Sequence, residues 1–500
     1  MTGTRHPRHG LMMFSIMLST VVYTLDSTIA AVALPNMQGS FSATQDQAAW
    51  VLTSYIVSSA IMTPMAGYLG DRFGRRNVFL ITVAGFVVTS MACGLAVNLE
   101  EMVLFRILQG AFGAPMIPFA QATILDAYTP ATYGRGMALF GAGVMLGPII
   151  GPTLGGWLTE ALNWRWVFFI NLPVGCVALV GLWLSMRDAH TEDRDRPFDF
   201  AGFAWLALCI GALQLMFDRG NTLSWFQSTE IQIEAFVAVL CLYLFIVQIL
   251  TRERPFIEPA IFKDRNFTMA TMLGFVLGFN MMASMALLPP FMQSLLNYPV
   301  LDTGMLLAPR GVGMMISMTL VGRLVERFDA RHVITLGLLI SAYSIWEMTL
   351  FDTNVTESLL MYTGFVQGVG MGCTFVPLSS IAFATIDPRK RADAVGFYSL
   401  GRNVGSSIGV SILMGALAVF VRQNRSWLVN EISPYNHVLS GGILPAQMDL
   451  SNKAGLEMFN FVVQREAMML GYLNDFRLML LFSLVAIPIV YFMRNVRRPQ

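Results

Sequence analysis

Asp26, Arg106, Arg310, Glu347 and Arg402 stand inside long apolar runs of a 500-residue chain in which only 13% of residues are charged. A charge near the middle of a lipid-spanning helix costs roughly 2.5 to 3.5 kcal/mol on insertion scales, so such residues usually face a cavity and have a function there. Asp26 lies about 15 residues, or ~22 Å, into an outward-running helix, and Arg106 sits near the outer start of an inward-running one. Both fall in the outer half of the membrane and can approach each other. Burial favours the neutral acid and a nearby guanidinium favours the ionised one, so a contact that changes with conformation loads and releases a proton. The chemistry on offer is proton exchange at Asp26 modulated by Arg106; the alternative is a static ion pair that fixes helix packing. Arg310 and Arg402 can contact substrate or coupling groups, whereas Glu347 lies toward the end of its run and is equally well explained by snorkelling to the interface.

Other chemistries lack their residues. The five histidines (His6, His9, His190, His332 and His437) lie outside the apolar runs or at the edge of one, and the five cysteines are scattered singly, so no metal or haem site is expected. The only lysines are Lys263, Lys390 and Lys453, and none follows a glycine. That excludes a GxxxxGK[ST] phosphate loop, so no cofactor is expected, and uphill work has to draw on an ion gradient or a partner subunit. A net charge of +1 offers no basic face to nucleic acid. A membrane-embedded enzyme or receptor would need a catalytic constellation within the runs, and none is present.

The elements that position these charges are dictated by composition. At 55% hydrophobic residues the chain reads as an integral membrane protein of all-α class. Runs of about 20 residues, the helical length that crosses a ~30 Å hydrocarbon layer, recur fourteen times, the first over 11–34 and the last over 475–493. The first is followed by many similar runs and is read as a retained span, not a cleaved signal peptide. With the N-terminus inside, the cytoplasmic segments hold 22 of the 32 Lys and Arg residues, which predicts that both termini are cytoplasmic.

Gly67–Arg76, "GYLGDRFGRR", aligns without gaps on Gly322–Arg331, "GRLVERFDAR". Gln109-Gly110 echoes Gln367-Gly368, and the Gly147/Gly151 pair echoes Gly405/Gly409, at nearly the same offset. Such repeats build transporter folds with a central cavity between two halves. The division expected is an N-terminal six-helix half over 1–187, an inserted helix pair with linkers over 188–266, and a C-terminal six-helix half over 267–500 with a periplasmic loop at 422–474. That loop reads equally as a helical hairpin over the cavity mouth or as a flexible connection.

"LDSTIAAVALP" at 25–35, "GYLGDRFGRR" at 67–76, "RILQGAFGA" at 106–114, "GVMLGPIIGPTLGG" at 143–156, and "LQLMFDRG" with "SWF" at 213–226 together resemble the major facilitator superfamily, specifically its fourteen-helix drug:proton antiporters. Ala31 and Gly70 depart from the family's frequent Asn and Ala. The resemblance implies a proton-coupled multidrug efflux antiporter that exports amphipathic toxic compounds across the cytoplasmic (inner) membrane by alternating access. It implies that Asp26 and Arg106 are the coupling residues and that Gly67, Asp71, Arg72, Gly74, Arg75, Arg76, Glu326 and Arg327 form a cytoplasmic gate. It associates Gly143, Gly147, Pro148, Gly151, Pro152, Gly155 and Gly156 with antiport; on the residues alone, the glycines at four-residue spacing equally make a groove for close helix packing. The partners implied are small amphipathic substrates, protons, the lipid bilayer and, in Gram-negative relatives, a periplasmic adaptor protein and an outer-membrane channel, with the 422–474 loop as docking candidate. Expected cavity residues, chosen for polarity or adaptability, are Tyr23, Gln109, Met116, Gln121, Asn280, Met281, Gln293 and Asn403, with Arg310 and Arg402. The competing reading is a dedicated exporter of one metabolite, siderophore or lipid on the same fold.

Overall fold

A computed structural model of the chain describes residues 7–128, 132–186, 198–220, 222–252, 255, 259–325, 328–387, 391–431 and 453–494. In chain order its α-helices are α1 (Pro7–Phe41), α2 (Gln45–Met62), α3 (Met65–Phe73), α4 (Arg75–Leu95), α5 (Leu99–Gly113), α6 (Met116–Ala127), α7 (Tyr133–Ala161), α8 (Trp166–Phe169) and α9 (Asn171–Ser185). They continue with α10 (Phe200–Arg219), α11 (Thr229–Thr251), α12 (Arg265–Pro290), α13 (Val300–Leu324), α14 (Ala330–Met348), α15 (Glu357–Ala384), α16 (Arg391–Glu431) and α17 (Lys453–Tyr491). Helices are the natural outcome, because backbone groups in lipid have to be satisfied within their own segment. Among the described residues, twelve helices are long and apolar enough to cross a membrane, and α2 with α3 makes a thirteenth, bent by 57°. α14 carries Arg331, His332 and Glu347 near its ends and is less apolar, yet it packs against α15 and α17. Each of the fourteen predicted runs therefore falls on a helix.

The interruptions have local causes. Pro64 and Pro115 begin α3 and α6 at positions where a helix has no use for the missing N–H, and Pro173 sits in the first turn of α9. Of these breaks, the one between α2 and α3 bends the chain by 57°, while α5 with α6 and α8 with α9 each continue as one span. Gly74 joins α3 to α4 with φ of 85°, a conformation glycine reaches without strain.

α1 packs on α7 and α9, α2 on α5, and α4 on α5 and α9; α12 packs on α16, α13 on α15, and α17 on α14 and α16. The two sets meet along α7 and α13, and where α16 lies on α3 and α6. α10 pairs with α11 and lies against α2 and α16.

Two helices outrun their expected limits. Residues 422–431 extend α16 and 453–474 form the first part of α17, so these parts of the expected loop are helical arms. Arg425 donates to Asn460 Oδ1 at 3.1 Å and ties the arms together, and Arg465 donates to the Thr353 carbonyl at 3.2 Å. Residues 432–452 lie outside the described residues. Asp475, expected at a span end, lies inside α17 instead and is fully buried.

Candidate functional site

Asp26 on α1 and Arg106 on α5 meet, and both side chains are 0% exposed. Arg106 Nη1 donates to Asp26 Oδ2 at 2.7 Å. Asp26 Oδ1 accepts from Gln109 Nε2 at 2.9 Å and from Asn171 Nδ2 at 2.8 Å. The carboxylate thus accepts from three donors, one of them a guanidinium. Arg106 is fixed in turn by the Val51 carbonyl at 3.0 Å and Gln109 Oε1 at 2.8 Å, and its guanidinium lies 4.1 Å from the Tyr55 ring centroid. Asn171 also donates to Ser90 Oγ at 2.9 Å, and Ser90 donates to the Phe168 carbonyl just before the break that starts α9.

The glycines of α7 set the position of α1. A Cβ at Gly147 would come within 2.6 Å of the Leu25 backbone N, one at Gly155 within 2.7 Å of Ile29, one at Gly151 would strike Thr28, and one at Gly143 would touch Met17 and Thr20 at 3.4 Å. The stripe thus lets the segment of α1 that carries Asp26 seat directly on α7. Gly156 faces open space and is not part of this contact. Pro148 lines the cavity, and Pro152 lies one turn further along α7.

One wall separates this ion pair from a central cavity of about 490 Å³, within the roughly 300–1,000 Å³ range of drug-sized sites. Tyr23 and Tyr55 form that wall: both line the cavity, their ring centroids are 6.2 Å apart, and the Tyr23 and Ser59 hydroxyls are bonded at 2.9 Å. Of the expected cavity residues, Tyr23, Met281, Arg402 and Asn403 line it. Six do not. Gln109 is spent on Asp26 and Arg106, and Arg310 turns away to the Met281 carbonyl and Met371 Sδ. Asn280 points back along α12 and donates to the Val276 carbonyl at 3.2 Å. Met116 and Gln121 are fully buried among α6 contacts, and Gln293 lies in the π-helical turn Phe291–Leu295. Polar residues that do line the cavity without having been singled out include Gln214, Asp218, Ser399, Ser406, Ser407 and Ser411.

At the membrane face that carries the chain termini, the two sets of helices are closed on each other. Asp126 at the end of α6 accepts from Arg75 at the start of α4 and, at 3.2 Å, from Arg391 at the start of α16. A Cβ on Gly67 would collide with the Asp393 side chain and stand 2.9 Å from its backbone N, so only glycine allows α3 and α16 this close. Gly134 of α7 abuts the Gly322 backbone of α13. Arg72 donates to the Tyr68 hydroxyl at 2.6 Å, Arg76 to the Trp183 carbonyl at 3.1 Å, and Asp71 is half-buried at the end of α3. Glu326 and Arg327 lie outside the described residues.

The architecture has a counterpart among known proteins, for a family model described as Major Facilitator Superfamily matches residues 16–271 and 270–427. The chain belongs to the major facilitator superfamily. It is 33% identical over 437 residues to the multidrug export protein EmrB of Haemophilus influenzae, covering 86% of this chain and 84% of that protein. It is also 33% identical over 481 residues to the fatty acid resistance protein FarB of Neisseria gonorrhoeae, covering 95% and 94%. The human organic anion transporter MFSD10 (TETRAN) has a similar structure, with a TM-score of 0.61 at 13% identity over 96% of this chain and 100% of that one, a likeness of fold alone. As a superfamily member the chain is a multi-pass membrane transporter and not an enzyme.

In this transporter the residues that sequence reasoning missed are Asn171, Ser90, Asp126, Arg391 and Asp218. Asn171 had a signal, as a lone amide within the sixth apolar run, but its place two residues before Pro173 also suits a helix start. Arg391 belongs to a connection whose positive charges the positive-inside bias already explains, and Asp126 lies just past the end of the fourth apolar run. The repeat gives one more finding. At the offset of 258 that relates Gln109 to Gln367, Asp26 corresponds to Ser284 and Arg106 to Gly364. Gln367 Nε2 donates to Ser284 Oγ at 2.9 Å, the counterpart of the Gln109–Asp26 bond, while its Oε1 has no partner among the described residues.

Proposed function

We propose that the chain is a proton-coupled multidrug efflux antiporter that exports amphipathic toxic compounds across the cytoplasmic membrane by alternating access. The observation that carries this reading is the position of the Asp26 site, sealed from the cavity by the two tyrosines that also line the cavity. A proton on Asp26 adds an O–H and removes the charge that holds Arg106, Gln109 and Asn171, so at least one of those donors has to turn away. Arg106 stacks on Tyr55, and Tyr55 neighbours Tyr23. Any move of Arg106 therefore reaches the wall that a cargo molecule touches, and cargo pressing on that wall reaches Asp26. No nucleotide or metal is assigned; the proton gradient supplies the work. The names of EmrB and the homologous colistin resistance protein of Acinetobacter baumannii support efflux of toxic compounds.

Purified protein in liposomes with an imposed pH gradient and a panel of labelled compounds tests the reading. Asp26→Asn is expected to bind cargo and lose gradient-driven uphill transport; retained uphill transport would remove the carrier role from Asp26. If no compound moves against protons in the unaltered protein, antiport itself is wrong.

A second reading, a dedicated exporter of acidic lipids, is favoured by Arg402 in the cavity wall and by the FarB relative. Export of structurally unrelated dyes by cells carrying the protein disfavours it. The positive-inside charge bias supports cytoplasmic termini, and the paired arms of α16 and α17 are the docking candidate for a periplasmic adaptor. Thiol labelling of cysteines placed at the termini and in the arms, from either side of the membrane, tests the topology.

A further inference from the structure

α10 belongs to a helix pair that the twelve-helix repeat does not need, yet it forms part of the cavity wall through Gln214, Phe217 and Asp218. Three bonds fix it there. Thr53 on α2 donates its hydroxyl to Asp218 Oδ2, Ser407 on α16 donates to Gln214 Oε1 at 2.8 Å, and Ser411 donates to the Phe217 carbonyl. The helix is thus bonded to one member of each repeat, and one oxygen of its carboxylate is left for another partner.

Asp218 and Arg402 are the two charged residues lining the cavity among those described, and neither makes an ion pair. They are held well apart. Gln214 is level with Ser407, α10 and α16 run in the same direction, Asp218 is four residues toward one face and Arg402 five residues toward the other, where the termini lie. At 1.5 Å per residue that separates them by roughly 13 Å along the membrane normal. The lining carries soft apolar side chains, Met281, Met282, Met285, Met414 and Phe217, beside polar ones, Asn403, Ser406, Ser407 and Gln214, so it suits an amphiphile.

We infer that the inserted helix α10 is part of the cargo site, and that Asp218 and Arg402 are the opposite poles of a cavity that takes elongated amphiphiles in an orientation set by the sign of their head group. A cationic amphiphile places its head on Asp218 and its tail toward the termini. An anionic one places its head on Arg402 and its tail the other way. The inference rests on the reading of the cavity as the cargo site and deepens it, because one site then accepts both signs of charge without refolding.

Equilibrium binding to the full-length protein in nanodiscs, without any pH gradient, tests this with three probes of one chain length: decyltrimethylammonium, decanoate and decanol. Asp218→Asn is expected to weaken the ammonium by about tenfold and to leave decanoate within about twofold. Arg402→Gln is expected to do the reverse, decanol binding is expected to hold in both, and Asp218→Glu and Arg402→Lys are expected to keep the native preferences. Unchanged affinity for both ions in both variants, or equal loss of all three probes with no rescue by the charge-keeping variants, overturns the proposal. Because no proton flux is measured, either result leaves the antiport reading to its own experiment.

Discussion

Asp26 is fully buried, and Arg106, Gln109 and Asn171 each spend a donor on it. Its repeat counterpart, Ser284, needs one donor and has one, Gln367. The same amide therefore does different work in the two repeats. Gln109→Leu is expected to cut gradient-driven transport by about tenfold or more, and Gln367→Leu to leave it within about twofold, because a charge-assisted bond is lost only in the first. Flux of both variants in one liposome preparation checks this, and equal losses would make the two glutamines equivalent. Asp475 presents the opposite case. It is fully buried beside Tyr472 and Phe476, and neither carboxyl oxygen has a partner among the described residues. An unsatisfied buried polar group costs about 1–3 kcal/mol, so Asp475→Leu is expected to raise the thermal unfolding temperature of the purified protein, and a lower one would reveal a partner. The pairing of Asp26 with Arg106 was legible because a charge within an apolar run stands out; Asn171, uncharged and beside a proline, did not.

At the scale of elements, α7 shows what a stripe of small residues achieves. Its glycines bring the backbone of α1 close enough that Gly147→Val would force Leu25 and Thr24 aside, the two residues just before Asp26. That substitution is expected to destabilise by about 1–3 kcal/mol and to abolish coupled transport, whereas Gly156→Ala, facing open space, is expected to be neutral or slightly stabilising. Thermal unfolding and flux measured side by side separate the two, and a tolerated valine at 147 would mean that α1 has room to move. The stripe was visible in the sequence, but its partner was not, because four-residue spacing defines a face without saying what lies against it. The failed cavity assignments of Met116, Gln121 and Asn280 have the same origin. In a helix apolar on every side, pattern gives no rotation about the axis, so which residues face the centre is settled by neighbouring helices.

For the whole molecule, the fourteen runs, the repeat and the helical class were all readable from hydropathy and spacing, since lipid leaves helices few alternatives. The closed face was not, because it depends on Asp126 receiving both Arg75 and Arg391 across the chain. Asp126→Asn weakens that tie in the closed state alone and is expected to shift the population toward opening at the face of the termini. A cysteine at Thr63, deep in the cavity, would then react faster with a thiol reagent added from that side; an unchanged rate would mean that the glycine contacts hold the face shut by themselves. The position of α10 has a last consequence. Of the two seams where the repeats adjoin, one is zipped along α7 and α13 by Gly134, Gly304, Gly311 and Gly322, and the other is plugged by α10 between α2 and α16. Among the described residues both seams are covered in this arrangement, so a compound dissolved in either leaflet reaches the cavity sideways only after a seam has parted.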